Sequence, residues 1–269
     1  MSGDGFGTGT DQLLVEVHEG VGRVTFNNPG KHNALSLAMR QALPGAVAAL
    51  EGDPAVRVVV MTGAGTKAFM SGADISEFAA QRTTPDARAE YDRSSAAVTG
   101  AWQALGKPII AMIRGYCLGG GLLTALGADI RIAAPDALFA VPAARLGLGY
   151  GFGGVQALTE VVGPAAAAEI LFSARRFSAQ EALAIGLVNR VVAADQLEDS
   201  VMTLARTIAA NAPLTVAACK AALRELRRAP EQRDLSRVAE MVEACFRSED
   251  YLEGQAAFAD KREPEFRGR

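Results

Sequence analysis

At 269 residues with 49% apolar side chains, the chain is long enough to bury one substantial core and sits at the upper end of what a single core organises. Its 27 basic and 30 acidic residues give a formal charge of −3 with both signs interspersed; no basic stripe follows a phosphate backbone, so nucleic acid is excluded as an expected partner. Cys117, Cys219 and Cys245 are odd in number and far apart, which excludes a disulfide framework or a cysteine zinc site and fits a reducing, cytoplasmic setting.

Residues 1–12 are rich in Gly, Thr and Asp and lack the basic-then-apolar order of a signal peptide, so a disordered tail is expected there. No unbroken apolar run reaches the ~18 residues of a membrane-spanning helix, and no membrane partner is expected. Val15–His18 and Arg23–Phe26 alternate apolar with polar residues around Gly20 and Gly22, predicting an antiparallel hairpin. From Ala34 to Leu50, the residues Met39, Leu43, Ala46, Val47 and Leu50 share one helical face, with Pro44-Gly45 set to kink or break it. Val56–Met61 and Ile109–Ile113 are short continuous apolar runs, the pattern of strands covered on both faces. Ala87–Leu105 reads as the crossover helix between them, followed by a short helix at Gly121–Leu126 and a strand at Asp129–Ala133. The first half is therefore α/β. Beyond Gly154 capped helices dominate: Pro164 and Pro213 suit first helical positions, Ser178 with Glu181 makes a capping box, and Val188–Val192 is the remaining strand pattern. These alanine-rich helices are thin in large side chains and are expected to pack on other subunits.

Three glycine-containing stretches qualify as ligand cradles. Gly63-Ala64-Gly65-Thr66-Lys67 lacks the spacing of a phosphate-wrapping loop and reads as a turn. Gly149 to Gly154 fits a dinucleotide fingerprint only literally, because Pro142 and Arg145 interrupt the strand that should precede it. Gly119-Gly120-Gly121 follows a buried strand and opens an apolar helix, where backbone N–H groups can meet developing negative charge. Ser71-Gly72-Ala73-Asp74 follows the other buried strand, with Asp74 placed to cap a following helix. Two exposed backbone segments, each after a parallel strand, converge where open α/β sheets hold ligands.

Asn33-Ala34-Leu35-Ser36, Ser71-Gly72-Ala73-Asp74-Ile75, Gly115-Tyr116-Cys117-Leu118-Gly119-Gly120-Gly121, Ala179-Gln180-Glu181-Ala182 with Gly186-Leu187-Val188, and the ending from Glu253-Gly254 to Lys261-Arg262 resemble the crotonase (enoyl-CoA hydratase/isomerase) superfamily in order and spacing. The resemblance runs from Leu13 onward. It implies a crotonase-like (ClpP/crotonase) α/β spiral of ββα units over 13–195 and a helical C-terminal trimerisation region over 196–269, assembled as a homotrimer or two stacked trimers. It implies an acyl-CoA enzyme of fatty acid metabolism, a hydratase-like lyase or isomerase, in which the N–H groups of Ala73 and Gly120 form the oxyanion hole for a thioester. Ser71, Gly72, Asp74, Ile75 and Gly119 belong to the same substrate-binding segments, and Phe258 and Lys261 match positions that contact CoA across a trimer interface. No metal or redox cofactor is implied, coenzyme A being part of the substrate.

The family's hydratases use two glutamates as acid and base. By alignment on the glycine triplet and on Phe139-Ala140-Val141-Pro142, those positions fall here on Leu123 and Ala143, and a further acidic position on Gly151. Tyr150 coincides with a tyrosine of the family's malonyl-type CoA decarboxylases, in which loss of CO₂ generates the enolate without a base. Three readings follow: a hydratase-like enzyme working through a thioester enolate, a decarboxylase using Tyr150, and a non-catalytic acyl-CoA binder whose pocket is lined by Leu122, Leu123, Val141 and Ala143. His18 reads as a surface residue, His32 stands beside a turn, and Cys117 reads as a small buried side chain.

Overall fold

In the computed structural model, which describes residues 4–74 and 84–269, the alternating segments form the expected hairpin. Strand β2 (Leu13–His18) pairs antiparallel with β3 (Val21–Phe26). Glu19 and Gly20 turn between them with φ of 49° and 80°, the left-handed pair that matches strand twist. The segment expected to be a disordered tail differs from that expectation from residue 4 onward. Asp4–Gly5 forms β1, paired with Val17 and Glu16, and the Thr8 hydroxyl donates to the carbonyls of Thr10 and Leu13. Its backbone groups find partners at the open edge of β2, which composition does not reveal.

The apolar runs become parallel strands. Strand β4 (Val58–Gly63) lies between β3 and β6 (Ile109–Ile113), and β8 (Ile130–Ala133) and β11 (Arg190–Val191) extend the same sheet, giving the seven-stranded order β1-β2-β3-β4-β6-β8-β11. A second, four-stranded sheet has the order β10-β9-β7-β5, built from β5 (Ala68–Met70), β7 (Tyr116–Leu118), β9 (Leu138–Ala140) and β10 (Phe177–Ser178). The chain alternates between the sheets, β4 then β5, β6 then β7, β8 then β9, with a helix after each pair. That succession is the spiral of ββα units.

Helix α1 (Leu37–Gly52) starts on Ser36, whose hydroxyl accepts from the Met39 N–H at 3.2 Å, and it runs through Pro44 unbroken. Burial of Met39, Leu43, Val47 and Leu50, each contributing about 1.5–3 kcal/mol, outweighs the ~3 kcal/mol a helix-interior proline costs. Helix α2 (Pro85–Ala104) and helix α3 (Gly120–Leu126) follow the first two strand pairs. Helix α4 (Phe152–Ser173) is interrupted at Gly163 (φ 75°, ψ 165°), so Pro164 does begin a helical stretch. Among the described residues α4 is long and apolar enough to cross a membrane, with mean hydropathy 1.3 over its most apolar stretch. Its length includes Glu160 and Glu169, and Phe152 and Phe172 are each 81% exposed.

Helix α5 (Ala179–Ala184) carries the expected capping box, Ser178 and Glu181 bonding reciprocally. Helix α6 (Leu197–Ala210) covers the outer face of the large sheet, burying Leu197, Val201 and Ala205 against Val58, Val60, Ile110 and Ile132. Helices α7 (Pro213–Leu226), α8 (Leu235–Phe246) and α9 (Glu249–Asp260) complete the chain. Lys220 ties α7 to the sheet, its ammonium donating to the Asp129 carboxylate at 2.8 Å and the Lys107 carbonyl at 2.6 Å.

Candidate active site

The glycine segments meet because a buried asparagine holds a loop against the small sheet. His32 and Asn33 both adopt positive φ, 52° and 55°, a conformation asparagine tolerates better than most residues. The Asn33 amide donates to the carbonyls of Ala64 at 3.0 Å and Ala68 at 2.7 Å, and its carbonyl accepts from the Asn28 N–H at 3.0 Å. Leu35 is thereby laid beside Ala73 in a parallel bridge: the Leu35 N–H donates to the Gly72 carbonyl at 2.8 Å and the Asp74 N–H to the Leu35 carbonyl at 3.4 Å. In such a bridge the N–H of the middle residue, Ala73, points away from its partner strand.

On that side stands the glycine triplet. A Cβ placed on Gly120 would lie 3.7 Å from the Ala73 nitrogen, and one on Gly72 would lie 3.6 Å from the Gly120 nitrogen and 3.2 Å from the Leu118 carbonyl oxygen. The approach needs glycine at 72, where φ is 107°, and at 121, where a Cβ would fall 2.1 Å from the Met70 carbonyl oxygen. Among the described residues neither the Ala73 nor the Gly120 N–H donates a hydrogen bond. Gly120 opens α3, and the first N–H groups of a helix have no partner within it. Two unpaired amides on facing segments can stabilise one developing oxyanion.

The surrounding residues bring little ionisable chemistry. Ser71 belongs to the bracing loop, its N–H donating to the His32 carbonyl at 3.1 Å and its hydroxyl to the Lys31 carbonyl at 3.3 Å. The buried Asp74 carboxylate is met by the Lys31 ammonium at 2.7 Å. Ile75 and the helix expected after Asp74 begin outside the described residues. A Cβ placed on Gly119, whose φ is 53°, would lie 3.7 Å from the Pro142 ring, so the turn Pro142–Leu146 stands beside the triplet. Leu123 on α3 and Ala143 on that turn are half-buried and carry no acid or base.

Tyr150 lies between this turn and α4. Its ring lies against Gly154, where a Cβ would approach to 2.7 Å of the ring and 3.3 Å of the hydroxyl oxygen. Burial pushes the phenol up to about 12 from 10.0, so it stays protonated near neutral pH. Cys117 is fully buried and burial pushes its thiol well above the usual range, which makes it inert. His32 stacks edge-on against Tyr116 with ring centroids 5.6 Å apart, and His18 is exposed beside Glu19. Phe258, 89% exposed, and Lys261, at the end of α9, are buried by nothing in the single chain. Asn33 and Gly154 are the supports that sequence reading gave no role. Asn33 reaches partners 31 and 35 residues away, which no local pattern shows. No group of three or more metal-ligating side chains occurs among the described residues.

The family model for enoyl-CoA hydratase/isomerase matches residues 16–269. A crotonyl-CoA hydratase from Syntrophomonas wolfei is 37% identical over 256 residues, covering 95% of this chain and 98% of the relative. A carnitinyl-CoA dehydratase from Proteus mirabilis is 42% identical over 227 residues, covering 81% and 84%. Among solved structures, an enoyl-CoA hydratase/carnithine racemase from Magnetospirillum magneticum superposes with a TM-score of 0.90 at 36% identity, covering 97% of both chains.

Proposed function

The chain belongs to the enoyl-CoA hydratase/isomerase family, and from that premise we propose that it binds an acyl-CoA thioester with the carbonyl oxygen on the Ala73 and Gly120 amides and stabilises the enolate formed there. The observation that carries this reading is the pair of unpaired amides on facing segments. As an electron pair moves from the α-carbon onto the thioester oxygen, both N–H groups gain a stronger acceptor. One such donor is worth about 2.7–4 kcal/mol of transition-state stabilisation. Gly72, Gly119 and Ser71 shape the approach, and Leu123 and Ala143 offer the acyl group an apolar wall. The reaction needs no metal or redox group, and the setting is cytoplasmic. Phe258 and Lys261 meet the CoA moiety of a neighbouring subunit in a trimer or a pair of trimers, which their exposure in the single chain supports.

A hydratase-like reaction is the first reading, supported by the names of the relatives. Its acid and base are not supplied by Leu123 or Ala143. Tyr150 favours a second reading, decarboxylation of a malonyl-type CoA thioester. The electrons of the breaking C–C bond then form the enolate, CO₂ leaves, and the α-carbon takes a proton that the Tyr150 phenol, protonated at neutral pH, can supply. The phenolate recovers its proton from water. Mass spectrometry of the protein incubated separately with crotonyl-CoA and methylmalonyl-CoA separates the readings. Gain of water supports the first, and loss of CO₂ that disappears in Tyr150→Phe supports the second. Binding without conversion makes the chain an acyl-CoA binder, and absence of binding contradicts the proposal altogether.

A further inference from the structure

One residue of the bracing loop grips the segment that carries the Ala73 amide on both sides. The Lys31 carbonyl accepts from the Ser71 hydroxyl at 3.3 Å, on the chain before Ala73, and the Lys31 ammonium donates to the Asp74 carboxylate at 2.7 Å, on the chain after it. Lys31 ends the short helical turn Pro29–Lys31, where its N–H donates to the Asn28 carbonyl and its carbonyl accepts from the Ala34 N–H, both at 3.0 Å. The ion pair is lopsided, since the Asp74 side chain is 5% exposed and that of Lys31 is 51% exposed.

A sheltered carboxylate at this place bears on the oxyanion site. Bond lengths alone keep the Asp74 carboxylate within about 9 Å of the Ala73 nitrogen. An oxyanion about 3 Å from that nitrogen is therefore on the order of 10 Å from the carboxylate, or nearer. At that separation and an effective dielectric of about 20, two like charges oppose each other by about tenfold or more in an equilibrium constant. The carbonyl of a bound thioester is neutral and meets little of this repulsion, whereas an enolate meets all of it. An unbalanced Asp74 would thus act against the one state that the two amides stabilise. The Lys31 ammonium, in contact with the carboxylate, balances its charge.

We propose that Lys31 is a positioning residue of the oxyanion hole that acts through Asp74: it fixes the Ser71–Asp74 segment and neutralises the carboxylate beside the Ala73 amide, so that negative charge can develop on a thioester oxygen. The inference rests on the reading that the Ala73 and Gly120 amides hold that oxygen. Sequence pattern gives Lys31 no such role, because 43 residues separate it from Asp74.

The test is a pH titration of acetoacetyl-CoA bound to the full chain, with its enolate followed by near-ultraviolet absorbance. This thioester loses its acidic α-proton to buffer, so the titration needs neither turnover nor a base on the protein. Its apparent pKa on the parent protein should lie below the value in solution. Lys31→Met should raise the bound value by about one unit, a tenfold loss of enolate. Asp74→Asn, which leaves the ammonium unbalanced, should lower it; the double variant should return close to the parent, and Lys31→Arg should match the parent. A contact of Lys31 with the CoA phosphates would be common to the keto and enolate forms and drops out of their ratio. An unshifted pKa on the parent overturns the oxyanion reading and this inference with it. A shifted parent with an unchanged Lys31→Met, or with both single variants raising the value as a merely structural role would, overturns this inference alone. If Lys31→Met does not fold, Asp74→Asn decides the matter by itself: a lowered value supports the charge balance, and an unchanged or raised one overturns it.

Discussion

Gly120 is asked to supply one backbone N–H and no side chain. Proline has no N–H and suits the first position of a helix, which is where Gly120 stands. Gly120→Pro should therefore lower kcat by about 10²–10³ with a nearly unchanged melting temperature; near-normal turnover would show that this amide does not touch the reacting oxygen. Tyr150 makes a prediction of the opposite kind, on stability. Its folded-state pKa, about 12, lies above its ordinary 10.0. The folded state thus favours the neutral phenol, and this contribution is complete below pH 10 and lost as pH rises toward 12. Melting curves across that window should fall less steeply for Tyr150→Phe than for the parent, and parallel curves would contradict the assignment. The candidate donors were legible because two glycine-containing segments each follow a buried strand and because the short motifs occur in family order. The partners of Asn33 and the cradle of Gly154 were not, since each depends on atoms brought together only by the folded chain.

At the level of elements, the loop from Asn28 to Leu35 sets the site. Asn33→Ala removes the amide that serves Ala64, Ala68 and Asn28 and leaves alanine at φ 55°. A loss of about 2–4 kcal/mol in urea unfolding is expected, together with weaker acyl-CoA binding as the Leu35–Ala73 bridge loosens. Unchanged affinity in a folded variant would detach the loop from the site. The long strands of the large sheet were readable because burial on both faces leaves an apolar run, as in Val58–Gly63 and Ile109–Ile113. The small sheet was not, since strands of two or three residues such as β10 and β5 are too short to show a period. Helix α1 shows the reverse lesson: Pro44 argued locally for a break, and the buried face overrode it.

For the molecule as a whole, helices α7 to α9 leave Leu223, Leu226, Leu235, Phe246, Leu252 and Phe258 exposed. The start of α7 at Pro213 was visible in sequence, but the Asp234 and Ser248 caps of α8 and α9 were not read there, nor was the surface that covers these helices, because no single-chain pattern names a partner. Light scattering should give three or six times the 28.0 kDa chain mass, and Leu226→Glu should shift it toward one chain. A parent protein that is monomeric at working concentration would contradict the assembly and the CoA contacts assigned to Phe258 and Lys261.

The claim that joins these scales is that the Ala73 and Gly120 amides hold a thioester oxygen. Isotope-edited difference infrared spectroscopy of crotonyl-CoA, labelled with carbon-13 at the thioester carbonyl, tests it without requiring turnover. Two amide donors should polarise the bond and move its stretch to lower frequency in the complex, with a smaller shift in Gly120→Pro. A bound carbonyl that keeps its solution frequency would contradict the account.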